Sequence, residues 1–203
     1  ITSCIKNEGK TFTAFNLSKF LASKGKKVVL IGADLGNPDL SKLFDQKNKK
    51  SKGLTNIIND TKNDFQELFE DYKITNNQFD TLFVGTQTNT KISVFDTKKF
   101  DDLISYLKEK YDYIIFDSAP ILFMVDSLEL LEKSDYVVHV FRKNFSSKKL
   151  VNYVLDYKEK YNKKNIGYVI TDDTKPDKFI DKYGYGYGYG YGYGYGYGYN
   201  GGS

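Results

Sequence analysis

The chain has 203 residues and a mass of 23.3 kDa, which suits one α/β domain and leaves little room for two. Hydrophobic residues make up 40% and aromatics 16%, enough for a core, so disorder along the whole chain is excluded. No apolar run reaches the ~18 residues of a membrane-crossing helix, one cysteine (Cys4) excludes a disulfide framework, and the net charge of +4 is modest.

In chain order, Ile1–Ser3 reads as the end of a strand rather than a secretory signal. A polar loop follows, then a helix from about Lys10 to Lys24, with Ala14, Leu17 and Leu21 on one face and Gly25 as its stop. Lys27–Ile31 holds an unbroken apolar run, as a strand buried on both faces requires. Pro38–Phe44 is a short helical turn, and Lys47–Lys52 a basic, solvated loop. Leu54–Ile58 and Asp64–Asp71 read as short helices, and Thr81–Val84 as a strand. Phe100, Leu103, Ile104 and Leu107 define an amphipathic helix. Tyr113–Phe116 is a buried strand ended by Asp117, Val125–Lys133 a helix, and Tyr136–Phe141 a third apolar strand. Leu150, Val154, Tyr157 and Tyr161 mark one more helix face, and Ile166–Ile170 the last strand.

Strand and helix alternate throughout, which predicts an α/β fold over residues 1–182: a mainly parallel sheet with helices on both faces. Residues 183–203 differ in kind. Tyrosine and glycine alternate without a break from Tyr183 to Tyr199, with no charge and no aliphatic side chain, so a flexible tail is expected.

The densest chemistry is Ser3-Cys4-Ile5-Lys6-Asn7-Glu8-Gly9-Lys10-Thr11, set between a strand and a helix. That is the context of a Walker A phosphate loop, although Cys4 stands where the pattern has its first glycine. Gly9 permits close approach of backbone to phosphate, and successive N–H groups at a helix N-terminus attract anions. Lys10 can reach the β- and γ-phosphates, and the Thr11 hydroxyl can bind Mg²⁺. Asn7 stands where glycine is common and tolerates positive φ.

Mg²⁺ takes oxygen ligands, commonly one or two carboxylates with phosphate and water. A parallel sheet offers them at the carboxyl ends of its strands, where Asp34 and Asp117 stand. Asp117 after Ile114-Ile115-Phe116 has the Walker B arrangement. His139, within an apolar strand, reads as a packed residue, and Cys4 as structural. Arg142 is the only arginine, so any other work of arginine forks falls to lysine or goes unfilled.

The phosphate loop, the segment Val28-Val29-Leu30-Ile31-Gly32-Ala33-Asp34-Leu35-Gly36-Asn37-Pro38, the segment Ile114–Pro120 and the tyrosine-rich end occur in one order along nearly the whole chain. Together they resemble the cytoplasmic domain of the bacterial tyrosine kinases that regulate capsule and exopolysaccharide synthesis. The resemblance implies a P-loop NTPase-like fold and an ATP- and Mg²⁺-dependent tyrosine autokinase. By position, Lys6, Asn7, Glu8, Gly9, Lys10 and Thr11 would hold ATP. Thr11, Asp34 and Asp117 would serve Mg²⁺, and Lys10, Asp34 and Asp117 would be catalytic.

The phosphoacceptors would be Tyr183, Tyr185, Tyr187, Tyr189, Tyr191, Tyr193, Tyr195, Tyr197 and Tyr199, modified in trans around a ring of protomers whose tails enter neighbouring sites. The implied place is the cytoplasmic face of the bacterial inner membrane. The implied partners are a membrane-embedded chain-length-regulator segment and a cognate tyrosine phosphatase; no nucleic acid is expected. The chain reads as an excised domain without the ring-forming helix and membrane segments of relatives. Gly32 and Gly36 depart from the family's usual Asp and Arg, and Thr171 stands near its usual base-contacting Asn. Two alternatives stand beside this reading: a catalytically weakened nucleotide-binding scaffold, and a MinD/ParA-like ATPase. The extra lysine of the latter falls at Ile5, with Lys6 one place off.

Overall fold

Strand β2 (Val28–Ala33) is buried along its whole length, and its side chains alternate between two cores. The computed structural model describes residues 1–44, 52–61, 64–75, 78–86, 94–122, 125–160 and 165–172. Val29, Ile31 and Ala33 face one cluster, with Leu54 and Ile57 of α2 (Leu54–Asn59), Leu68 and Phe69 of α3 (Phe65–Tyr72), and Phe100, Leu103 and Leu107 of α4 (Lys98–Lys110). Val28 and Leu30 face the other, with Ala14 of α1 (Lys10–Ser23) and Leu40 of a 3-10 helix (Asp39–Leu43). Helices therefore cover both faces, and each fully buried Leu or Ile contributes about 1.5–3 kcal/mol of burial free energy. A third cluster joins Cys4 and Ile121 to Leu131 of α5 (Val125–Lys133), Val137 of β6 (Val137–Arg142) and Val154 of α6 (Lys148–Lys160).

β2 pairs in parallel with β4 (Asp80–Leu82) on one side and with β5 (Tyr113–Ser118) on the other. A short β3 (Ile74–Thr75) closes that edge antiparallel to β4. β1 (Thr2–Ser3), β6 and β7 (Ile166–Thr171) form a second parallel set. The two sets meet where Ser118 N donates to Ile1 O at 3.1 Å and Ile121 N donates to Ser3 O at 2.9 Å. The strand order among the described residues is β3-β4-β2-β5-β1-β6-β7. The described residues fall in one compact unit, Ile1–Asp172.

Most expected elements appear at their expected places. α1 ends as Gly25 foretells: at φ +77 its N–H bonds Ala22 O, and Lys26 N bonds Leu21 O, a Schellman closure. Three details differ. The strand expected over Thr81–Val84 runs over Asp80–Leu82, because Phe83 and Val84 turn their carbonyls to Leu54 N and Thr55 N of α2. Asp117 lies inside β5, opposite Gly32, rather than after it. β3 was not expected, since two residues carry no periodicity. The tail expected over 183–203, the 182/183 boundary, Tyr161 and most of the Lys47–Lys52 loop lie outside the described residues.

Candidate nucleotide site

The loop between β1 and α1 turns twice through left-handed backbone, at Asn7 (φ +65) and at Gly9 (φ +96). A β-carbon on Gly9 would stand 3.1 Å from Thr171 Cγ2, so conformation and close packing both favour glycine there. Gly9 O then accepts from Thr13 N at 2.9 Å and from the Thr13 hydroxyl at 2.8 Å, which starts α1.

Lys10, the first residue of α1, is buried. Burial lowers its pKa, and the carboxylates of Asp117, Asp34, Glu8 and Asp39 oppose that shift. Four acids from three segments thus lie within electrostatic reach of one ammonium group. Asp34 follows β2 and is half-buried. Burial raises its pKa against the N–H of Asn37, Lys10, the N–H of Gly36 and Lys6. Asn37 N donates to Asp34 Oδ1 at 2.9 Å, while its side-chain amide donates to Asp39 Oδ2 at 2.7 Å. Asp117 is 2% exposed, and burial pushes its pKa up to about 6, against a hydrogen bond with Thr11. Its Oδ1 is buried with no hydrogen-bond partner among the described residues.

The structure gathers Lys10, Thr11, Asp34 and Asp117 around one buried ammonium group. Lys6 and Asn7 are exposed on the loop, Lys6 within electrostatic reach of Asp34. The Glu8 side chain turns inward. Its fully buried carboxylate accepts from Ile5 N at 2.9 Å and bonds the Ser146 hydroxyl, so the side chain holds the loop together from within. Thr171 donates to Glu8 O at 2.8 Å and so braces the loop. Asp39 was not singled out in the sequence; its signal was its place on the turn that carries Asp34. Gly32 is closely packed: a β-carbon there would sit 3.3 Å from Val84 N and 3.5 Å from Leu40 Cδ2. Cys4 and His139 are buried and in contact, Sγ to Nε2 3.6 Å. Burial and Glu8 push the Cys4 thiol up to about 12, and burial lowers His139 to about 4, so both are neutral packing groups at pH 7.

Whether Mg²⁺ fits is decided by the donors. Thr11 and Asp117 offer a hydroxyl and a carboxylate side by side, Asp34 adds a second carboxylate, and the orphaned Asp117 Oδ1 lacks a partner that a hydrated cation would provide. No group of three or more His, Cys, Asp or Glu able to hold a metal occurs among the described residues. A cation that draws most of its ligands from phosphate and water is consistent with that.

A family model described as an AAA domain matches residues 7–166. A tyrosine-protein kinase, CpsD of Streptococcus pneumoniae, is 32% identical over 187 residues, covering 91% of this chain and 78% of that protein. This chain belongs to the bacterial tyrosine kinases. The solved kinase domain of VpsO superimposes on this family member with a TM-score of 0.73 at 27% identity, over 83% of this chain and 81% of the other. The septum site-determining protein MinD of Synechocystis is 32% identical over 117 residues, but over only 58% of this chain and 42% of that protein. The bacterial tyrosine kinases and the MinD-type proteins thus share this P-loop architecture, and the fuller match is with the kinases. No helix among the described residues is long and apolar enough to cross a membrane.

Proposed function

We propose that this chain is an ATP- and Mg²⁺-dependent protein-tyrosine autokinase that modifies tyrosines of its own tail in trans and thereby regulates capsule or exopolysaccharide polymerisation and export. The observation that carries the reading is the convergence of Lys10, Thr11, Asp34 and Asp117 beside a loop held in left-handed turns. Phosphoryl transfer needs placement and charge neutralisation more than covalent help from protein. Lys10 supplies a buried positive charge, and the loop N–H groups supply dipoles. Thr11 and Asp117, with Asp34 near them, would hold Mg²⁺; when bound, it neutralises phosphate charge. The Asp117 carboxylate would also help take a proton from an approaching phenol, whose free pKa is about 10. The Tyr183–Tyr199 series supplies nine acceptors separated by single glycines, which lets the chain extend into a neighbour's site. A ring of protomers, a membrane-embedded activator, a tyrosine phosphatase and a place at the inner membrane belong to the same proposal and rest on the family resemblance.

The test is incubation of the pure chain with Mg-ATP, followed by a phosphotyrosine blot and a phosphate-release assay. Tyrosine labelling that disappears in Lys10→Met is the expected result. Hydrolysis without labelling would assign a MinD-like ATPase instead, and neither signal would assign a scaffold.

A further inference from the structure

We infer that Arg142, paired with Asp172, is a positioning residue that sets the phosphate loop for its ligand; this rests on the nucleotide-binding reading above. Arg142 ends β6, and Asp172 directly follows β7, paired in register alongside it. The Arg142 Nε and Nη2 groups converge on one Asp172 oxygen, each at 3.0 Å. The remaining arm, Nη1, donates to Asn7 O at 3.3 Å, across 135 residues of sequence. The Phe145 ring lies 5.4 Å from the guanidinium carbon and packs against it.

The contact matters because of what a peptide plane does. In a trans peptide the C=O of one residue and the N–H of the next point in opposite directions. Arg142 holds the carbonyl of Asn7, and Thr171 holds the carbonyl of Glu8 at 2.8 Å. The N–H groups of Glu8 and Gly9 are thereby turned away from the β6 and β7 ends, as an anion-binding nest requires. Arg142 also supports the loop a second way: its own N–H donates to Ser146 Oγ at 2.8 Å, and Ser146 bonds the Glu8 carboxylate. Asn7 and Asp172 both sit at positive φ, +65 and +59, a conformation that Asn and Asp adopt more readily than other side chains.

Lysine cannot replace this arrangement, because three arms in a fixed plane serve two partners at once. The Arg142 and Asp172 side chains are 39% and 44% exposed, so their ion pair adds little to global stability. Orientation of the loop is the role left to it.

The experiment compares the wild-type chain with Arg142→Lys, Arg142→Met, Asp172→Asn and the Arg142→Met/Asp172→Asn double variant. Three quantities are read: the Kd for Mg-ADP, amide hydrogen exchange over residues 5–11 without nucleotide, and the melting temperature. Arg142→Met is expected to weaken Mg-ADP roughly 10-fold, and Arg142→Lys and Asp172→Asn each roughly 3-fold, with faster loop exchange in all. The double variant should bind no worse than Arg142→Met, because Asp172 acts through Arg142. Unchanged affinity and unchanged loop exchange in the folded single variants would overturn the inference, as would additive losses in the double variant or a fall in melting temperature alone. If the wild-type chain binds no Mg-ADP, the nucleotide reading fails, and loop exchange still decides the clamp: faster exchange in Arg142→Lys and Asp172→Asn supports it, and unchanged exchange refutes it.

Discussion

At the scale of single residues, the site is governed by Asp117. Its folded pKa of about 6 lies above the usual carboxylate value because burial penalises the ionised form. Between about pH 4 and 6 the folded chain therefore holds a proton that the unfolded chain has released. The ligand-free chain should lose stability as pH rises through that window, a loss that Asp117→Asn should remove in denaturation curves taken across it. Binding of Mg²⁺ needs the ionised carboxylate, so Mg²⁺-dependent nucleotide affinity should climb over the same window as stability falls. Lys10, Asp34 and Asp117 were legible in the sequence because each stands where a buried strand or a helix start delivers it. The brace around the loop was not. Arg142 reaches Asn7 over 135 residues and Thr171 reaches Glu8 over 163, and no local pattern records such contacts. Glu8 was recognised as belonging to the loop, but its inward turn depends on Ser146, which sequence spacing does not reveal.

At the scale of elements, β2 and the turn after it decide how many acids the site can hold. Gly32 lies opposite Asp117 in the ladder, and Leu40 of the 3-10 helix and Val84 close over it. Gly32→Asp would add a carboxylate beside Asp34 and Asp117, but its β-carbon would meet Val84 N at 3.3 Å, so the neighbouring backbone must give way. The substitution should cost about 1–3 kcal/mol of stability in urea unfolding and give no faster tyrosine labelling. A faster rate at unchanged stability would show that the missing carboxylate limits this site. The buried strands and the α4 helix were readable because apolar runs and 3.6-residue spacing survive in the chain. The end of β4 was not, because the carbonyls of Phe83 and Val84 serve α2 instead of the ladder, a tertiary choice that alternation does not encode. The extension of β5 through Asp117 came from its pairing with β2.

At the scale of the whole molecule, one sheet order brings chemistry from distant segments to one edge. β2, β5 and β1 are neighbours in that order, so Asp34, Asp117 and the loop before α1 arrive together. Alternation of strands and helices gave the fold class without needing the order itself. The acceptor series Tyr183–Tyr199 is a compositional feature, and its use as substrate belongs to the proposed activity. The central claim is that this edge grips a nucleotide through Lys10 and couples it to Mg²⁺ through Asp117. Calorimetric titration of ADP, with and without Mg²⁺, into the wild-type chain, Lys10→Met and Asp117→Asn tests it most directly. The account predicts tight binding that strengthens with Mg²⁺ in the wild type, none in Lys10→Met, and binding indifferent to Mg²⁺ in Asp117→Asn. Wild-type binding that ignores Mg²⁺, or full Mg²⁺ enhancement in Asp117→Asn, would contradict it.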